Sequence, residues 1–238
     1  MILYEPIMNP EISIKRFDMN GNWSFSNTIY PTEENFTILI SSLVLFHGRK
    51  LSLDELNEKN FQSYASKMKG KKNFNVFRAQ YATVFHMWGL YYIDSNGIFF
   101  ITPLALKFYK GEIDYQTLNL VISARYQFPK PNVYRQPEGP LRPIIALIRV
   151  FKLLSTIEEQ GRMTTLELNL FWAYIRSDND VEDFVNELVI IRNSILPEEF
   201  QPLEKMKKVG NGMAGTLRIA QMAGIIEKKD EFYQLVNK

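Results

Sequence analysis

Two histidines and no cysteine are present for metal or nucleophilic chemistry, and His47 and His86 have no spacing that suggests a shared ligand set. Thiolate metal sites and disulfides are therefore excluded, and a cytoplasmic setting is the default expectation. His47, beside Gly48, reads as a helix C-terminal residue favoured by the helix dipole, and His86 as a helix-surface residue. No glycine-rich phosphate loop ending in Lys-Ser/Thr and no Gly-x-Ser-x-Gly elbow occurs. A metal-dependent nuclease needs an acid followed by an acid-x-lysine on a strand, so that carboxylates hold magnesium while the lysine orients water. Glu198 with Glu227-Lys228-Lys229 traces that skeleton. A helix with its own glycines intervenes, however, and a solvated edge strand is the simpler reading of the lysines.

Basic residues with aromatic neighbours are the remaining chemistry. "KMKGKKNFNVFR" (67–78) places Lys67, Lys69, Lys71 and Lys72 ahead of a helix whose N-terminal amides favour an anion such as phosphate. Asn75 and Arg78 lie off that helix's apolar stripe, with Gln80 and Thr83 at its margin, and these side-chain types read base edges in a major groove. "KMKKVGNGMAGTLR" (205–218) repeats the layout with Lys205, Lys207, Lys208, Asn211 and Arg218. Against this stands the third helix of the second half, whose Asp178, Asp180, Glu182, Asp183 and Glu187 would repel phosphates; it is expected to pack or to meet protein. For the lysines a solvated helix entry is the competing reading. Phe74, Phe77 and Trp88 read as core and not as base-stacking platforms.

These residues need elements to position them, and 238 residues suffice for one large or two small cores. Hydrophobic content of 46%, with 13% aromatic and 23% charged residues, is that of a packed soluble protein. The longest apolar run, "ILISSLVLF" (38–46), is about half a membrane span, and Met1 opens no signal-like region. A net charge of +2 assigns any nucleic-acid role to local patches. "TEENFTILISSLVLFHG" (32–48) has a capping threonine, first-turn acids, apolar residues at helical spacing and a closing glycine. Helices are likewise predicted over 51–68 and 75–89, then a hairpin turning at Ser95-Asn96-Gly97. A short helix starts at Pro103, and 115–127 is predicted helical. "FPKPNVYRQPEGPLRP" (128–143) holds five of the eleven prolines and marks a boundary. Beyond it come helices from Ile144, from a Thr164 cap, after Asp178-Asn179-Asp180 and over 212–224, and a hairpin turning near Asp230.

"HMWGLYYIDSNGIFFIT" (86–102) and "AQMAGIIEKKDEFYQLV" (220–236) share a helix end, a glycine, an apolar run, a polar turn and a second alternating run, a loose internal repeat. The predicted class is mostly α with short β-hairpins (α+β), as two tandem winged-helix-like units: 1–128, a Pro-rich linker at 129–143, and 144–238.

The order of "NWSFSNTIYPTEENFTILISSLVLF", "MWGLYYIDSNGIFFITPLALKFYKG", the "YQFP" of 126–129 and "RPIIALIRVFKLL" before "MTTLELNLFWAYIRSDNDVEDFVNELVIIRNS" resembles the DNA-recognition part of the AlwI-like type II restriction endonucleases and their nicking relatives. The last helix and hairpin are similar to winged-helix modules of FokI-type enzymes. The resemblance implies recognition of a short asymmetric double-stranded DNA site, with cutting by a separate nuclease domain. That domain would follow where this sequence ends at Lys238, and Tyr30 stands where a basic residue would be expected. The expectation is a non-catalytic recognition chain without a cofactor of its own, magnesium entering only with a joined or paired nuclease domain. Lys67, Lys69, Lys71, Lys72, Lys205, Lys207 and Lys208 would hold phosphates; Asn75, Arg78, Gln80, Asn211 and Arg218 would lie at the bases. A winged-helix transcription regulator and a winged-helix protein-interaction module are the alternative readings.

Overall fold

The computed structural model of the chain describes residues 17–18, 21, 23, 32–67, 73–77, 85, 88–128, 137–157, 161–194, 198–205 and 210–236, and of these the side chains at 67, 76, 199, 202, 203, 211 and 212 are not described. Helix α1 (Glu33–Val44) starts where the Thr32 side chain accepts the Asn35 N–H at 3.3 Å, and it buries Phe36, Leu39, Ile40 and Leu43 along one face. α2 (Leu53–Lys67) opens on a reciprocal box: the Glu55 N–H donates to Ser52 Oγ at 3.2 Å, and the Ser52 N–H to Glu55 Oε2 at 2.8 Å. α3 (Phe74–Phe77) follows, with Phe85 again helical and 78–84 outside the described residues. β1 (Tyr91–Ile93) and β2 (Phe99–Ile101) pair antiparallel, with Gly97 at φ 77° in the turn between them.

A short pairing that the sequence pattern does not announce completes this unit. Residues 48–51 run antiparallel to β2, with Gly48 N–H to Phe99 O at 2.8 Å, Phe99 N–H to Arg49 O at 2.9 Å and Leu51 N–H to Gly97 O at 3.1 Å. The chain continues through α4 (Pro103–Tyr109) and α5 (Tyr115–Arg125), the latter capped by Asp114, which accepts the Thr117 N–H at 2.7 Å. Residues 129–136 lie outside the described residues, and their flanks meet in a bridge between Phe128 and Leu141.

The second half repeats the order. α6 (Pro143–Ile157) leads into β3 (Arg162–Thr164) and α7 (Thr165–Tyr174), and α7 begins on another Thr-x-x-Glu box, Thr164 with Glu167. α8 (Val181–Arg192), the one-turn α9 (Gln201–Glu204) and α10 (Asn211–Met222) come before β4 (Ile226–Lys229) and β5 (Phe232–Leu235). The sheet order is β3-β5-β4, so the strand before the second helix pairs with the last strand, as residues 48–51 pair with β2. The repeat extends to the sequence at that joint. "LSLDELN" (51–57) and "MTTLELN" (163–169) bury Leu51 and Met163, Leu56 and Leu168, Asn57 and Asn169.

By this topology the helix that precedes the second hairpin is α10, and α8 is an insertion that packs on α6. Its acids are engaged locally: Asp178 receives the Arg142 backbone and Nε at 2.8 Å, Arg149 lies 3.5 Å from Glu182, and Asp180 accepts the Arg176 and Ser177 N–H groups at 2.8 Å. Arg192 at the end of α8 pairs with Glu167 at 2.7 Å and donates to the Arg162 carbonyl, which fixes the insertion to the β3–α7 joint.

The two halves share one apolar core. α5 packs along α10, with the Tyr115 hydroxyl 3.7 Å from Met222 Sδ. Residues near the start of the chain pack on the second half: the Asp18 N–H donates to the Ala173 carbonyl at 2.8 Å, Phe17 meets Tyr174 and Phe200 edge-on, and Trp172 Nε1 donates to the Trp23 carbonyl. The Trp172 ring fills the space where a side chain on either Gly21 or Gly210 would sit, since a Cβ at either position would come within 2.0 Å of it. No described helix is long and apolar enough to cross a membrane.

Two outcomes follow. Gly210→Ala forces the Trp172 ring to move and should cost about 1–3 kcal/mol, read as a lower urea midpoint at unchanged slope. Burial pushes the Tyr91 and Tyr126 phenols above their ordinary range, so both stay neutral in the folded chain. Their stabilisation is complete below the unfolded value of about 10 and is lost as pH rises above it. Urea titrations from pH 8 to 11 should show that alkaline loss, reduced in Tyr126→Phe.

Candidate nucleic-acid interface

In the sequence the first basic cluster leads into α3. Asn73 caps this helix itself: its Oδ1 accepts the Asn75 N–H at 2.9 Å, so one first-turn amide is already taken. Phe77 is buried against Phe61 and Tyr64, as expected of a core ring, whereas Phe74 is half-buried and meets Phe61 edge-on at 5.5 Å outside the buried core. Trp88 is buried too, stacked on Phe36 at 6.0 Å. The Asn75 side chain is exposed, and Lys67 is the last residue of α2. Lys69, Lys71, Lys72, Arg78 and Gln80 lie outside the described residues, as does His86.

The second cluster is built on α10. Met213, Thr216, Leu217 and Ala220 point inward, which leaves Arg218 exposed on the opposite side with no ion pair among the described residues. Asn211 stands seven positions earlier, two turns along the same face, about 10 Å away along the axis. That spacing covers about three base-pair steps at about 3.4 Å each. Ala214 and Gly215 lie between them and keep the middle of this face low. Gln221, one turn past Arg218, shares the face at half exposure and was legible from the same helical spacing.

The N-terminus of α10 is held by α7. Gly210 has no capping side chain, and its own N–H donates to the buried Asn169 Oδ1 at 2.8 Å. The Gly210 carbonyl accepts the Met213 and Ala214 N–H groups at 2.9 Å, and the start of the helix carries the partial positive charge of an N-terminus. Lys205, exposed after α9, reaches the Gln201 side chain at 3.4 Å; Lys207 and Lys208 lie outside the described residues. The β4–β5 hairpin carries Lys228 and Lys229 among the exposed acids Glu227, Asp230 and Glu231. Lys228 lies 5.3 Å over the Tyr233 ring, and Lys229 is exposed one residue on, before Asp230 turns the chain at φ 55°.

His47 Nδ1 accepts the Ile101 N–H at 3.2 Å, so the ring proton sits on Nε2 and the residue pins the chain to β2, a more specific role than a dipole-favoured helix end. Glu227 accepts the Gln234 amide at 2.8 Å across the hairpin, and among the described residues no group of three or more acids and histidines could hold a metal.

No protein-family model and no curated protein matches the sequence. Among solved structures the chain is similar to the BpuJ1 endonuclease binding domain, seen in a crystal structure in complex with pyrene- and phenanthrene-modified DNA. The TM-score is 0.58 over 85% of this chain and 74% of that one, at 10% identity, so the likeness is one of fold.

Proposed function

We propose that the chain binds double-stranded DNA and reads a short sequence in it, as the recognition region of a type II restriction endonuclease of the AlwI-like kind. The observation that carries this reading is the fold likeness to an endonuclease binding domain whose crystal structure holds DNA. The repeated order of helix, strand, helices and hairpin supports two winged-helix units, 1–128 and 144–238, joined by 129–143, with Phe17, Asp18, Gly21 and Trp23 packed on the second.

In this reading Lys67, Lys69, Lys71, Lys72, Lys205, Lys207 and Lys208 neutralise phosphates, which gives affinity and salt dependence without sequence information. Asn75, Arg78 and Gln80, which the sequence pattern assigns to the first reading helix, and Asn211 and Arg218 of α10 are the base-reading candidates. Arg218 suits the O6 and N7 acceptors of guanine, because its planar fork donates two parallel hydrogen bonds. Cleavage is the work of a separate or joined nuclease domain, and magnesium belongs there.

Arg218→Ala and Arg78→Ala should each reduce cognate over random-duplex preference about 5- to 150-fold, equivalent to about 1–3 kcal/mol. Lys205→Ala and Lys71→Ala should weaken all duplexes alike and flatten the salt slope by about one unit. Selection of bound duplexes from a random pool supplies the cognate site. A short asymmetric site bound by a monomer is the expected result, whereas a twofold-symmetric site would favour a regulator. Equal losses on cognate and random duplex for all four variants would remove the base-reading assignment.

A further inference from the structure

The two small sheets share a topology and differ in what their outer faces expose. In the second, rows of paired residues put Arg162, Gln234, Glu227, Thr164, Phe232 and Lys229 on one side, and the Arg162 guanidinium lies 3.9 Å over the Phe232 ring. Its aromatic is covered. In the first, Tyr91, Phe99 and Ile101 face the core, so Tyr92 and Phe100, opposite each other across the ladder, face outward. These two rings stack at 5.3 Å with 21° between their planes, and the exposed His47 stands edge-on to Phe100 at 5.6 Å. Tyr92 keeps 48% of its surface in solvent.

The charge around this face is positive. Lys50 is bridged to Ile98, two residues from Phe100, which puts it on the same side of the sheet. Neither Lys50 nor its neighbour Arg49 makes an ion pair among the described residues. The nearest acid in the turn, Asp94, is occupied by the N–H groups of Asn96 and Ile98.

We infer that the outer face of the first hairpin stacks an unpaired nucleobase on Tyr92 and Phe100, with Lys50 and Arg49 taking the flanking phosphates, so that the chain binds single-stranded DNA. Two rings and an imidazole are far smaller than the roughly 800 Å² per partner of a stable protein interface. They match the planar footprint of one or two bases, and aromatic rings beside cations are the usual platform for single strands. The inference goes beyond the duplex reading and does not depend on it, because the residues involved are on neither reading helix.

The test is fluorescence anisotropy of a fluorescein-labelled ten-nucleotide thymidine strand, beside a labelled random duplex, with the full chain. The strand should bind with strong salt dependence; Tyr92→Ala should weaken it about 5- to 150-fold, Tyr92→Phe should keep it, and Lys50→Glu should weaken it too. Duplex affinity should be unchanged in Tyr92→Ala. No strand binding by the wild type, or equal binding by Tyr92→Ala, overturns the inference. So does concentration-dependent self-association in sedimentation that Tyr92→Ala abolishes, which would give the face to a second copy. Failure on the duplex with Tyr92-dependent binding to the strand refutes the duplex reading alone.

Discussion

The geometry of α10 depends on how one glycine is held. Gly210 gives its N–H to the buried Asn169 and leaves its missing side chain's space to Trp172, both on α7. A hydrogen bond to a buried amide and a ring filling a side chain's volume fix position and orientation together, and neither can relax without exposing the other. The same tryptophan is tied to the Trp23 carbonyl, so the segment near the start of the chain, α7 and the start of α10 share one joint. Whatever α10 presents on its outer face inherits its precision from that joint.

Local signals in the sequence carried most of the elements. Thr32 and Thr164 cap helices as their types predict, Asn96-Gly97 turns a hairpin, and Asp230 turns the other at positive φ. What stayed hidden was non-local. β3 is three residues long, and its partner β5 begins at Phe232; pairing over that distance leaves no periodic trace in so short a strand. Residues 48–51 escaped notice for the same reason. Order along the chain made the acidic α8 seem the counterpart of the first reading helix; only the strand pairing identifies it as an insertion. At the candidate site, helical spacing sufficed to set Arg218 outward, whereas the Asn73 cap and the Asn169 clamp needed coordinates.

The insertion also resolves an electrostatic conflict. A helix bearing Glu182, Asp183 and Glu187 in the reading position would repel DNA. Placed against α6, with Asp178 and Glu182 neutralised by Arg142 and Arg149 and with Arg192 answering Glu167, it serves the core. Towards the end of the second half the exposed cations are Lys205 before α10, Arg218 on it, and Lys228 and Lys229 on the hairpin beside the exposed Glu227, Asp230 and Glu231.

The packing of Phe17 and Trp23 on α7 has a consequence for how the molecule is made. Trp23 and Trp172 are separated by 149 residues, so the segment leaves the ribosome long before its seat exists. At about 5–20 residues per second the interval is about 7–30 s. Throughout that time Phe17 and Trp23, both buried in the finished chain, have no partner on α7 to cover them. Helix and hairpin formation in the first half is faster by orders of magnitude. Closure of the common core is thus a late event in synthesis, set by the arrival of α7 and Gly210 and not by the intrinsic folding speed of either half.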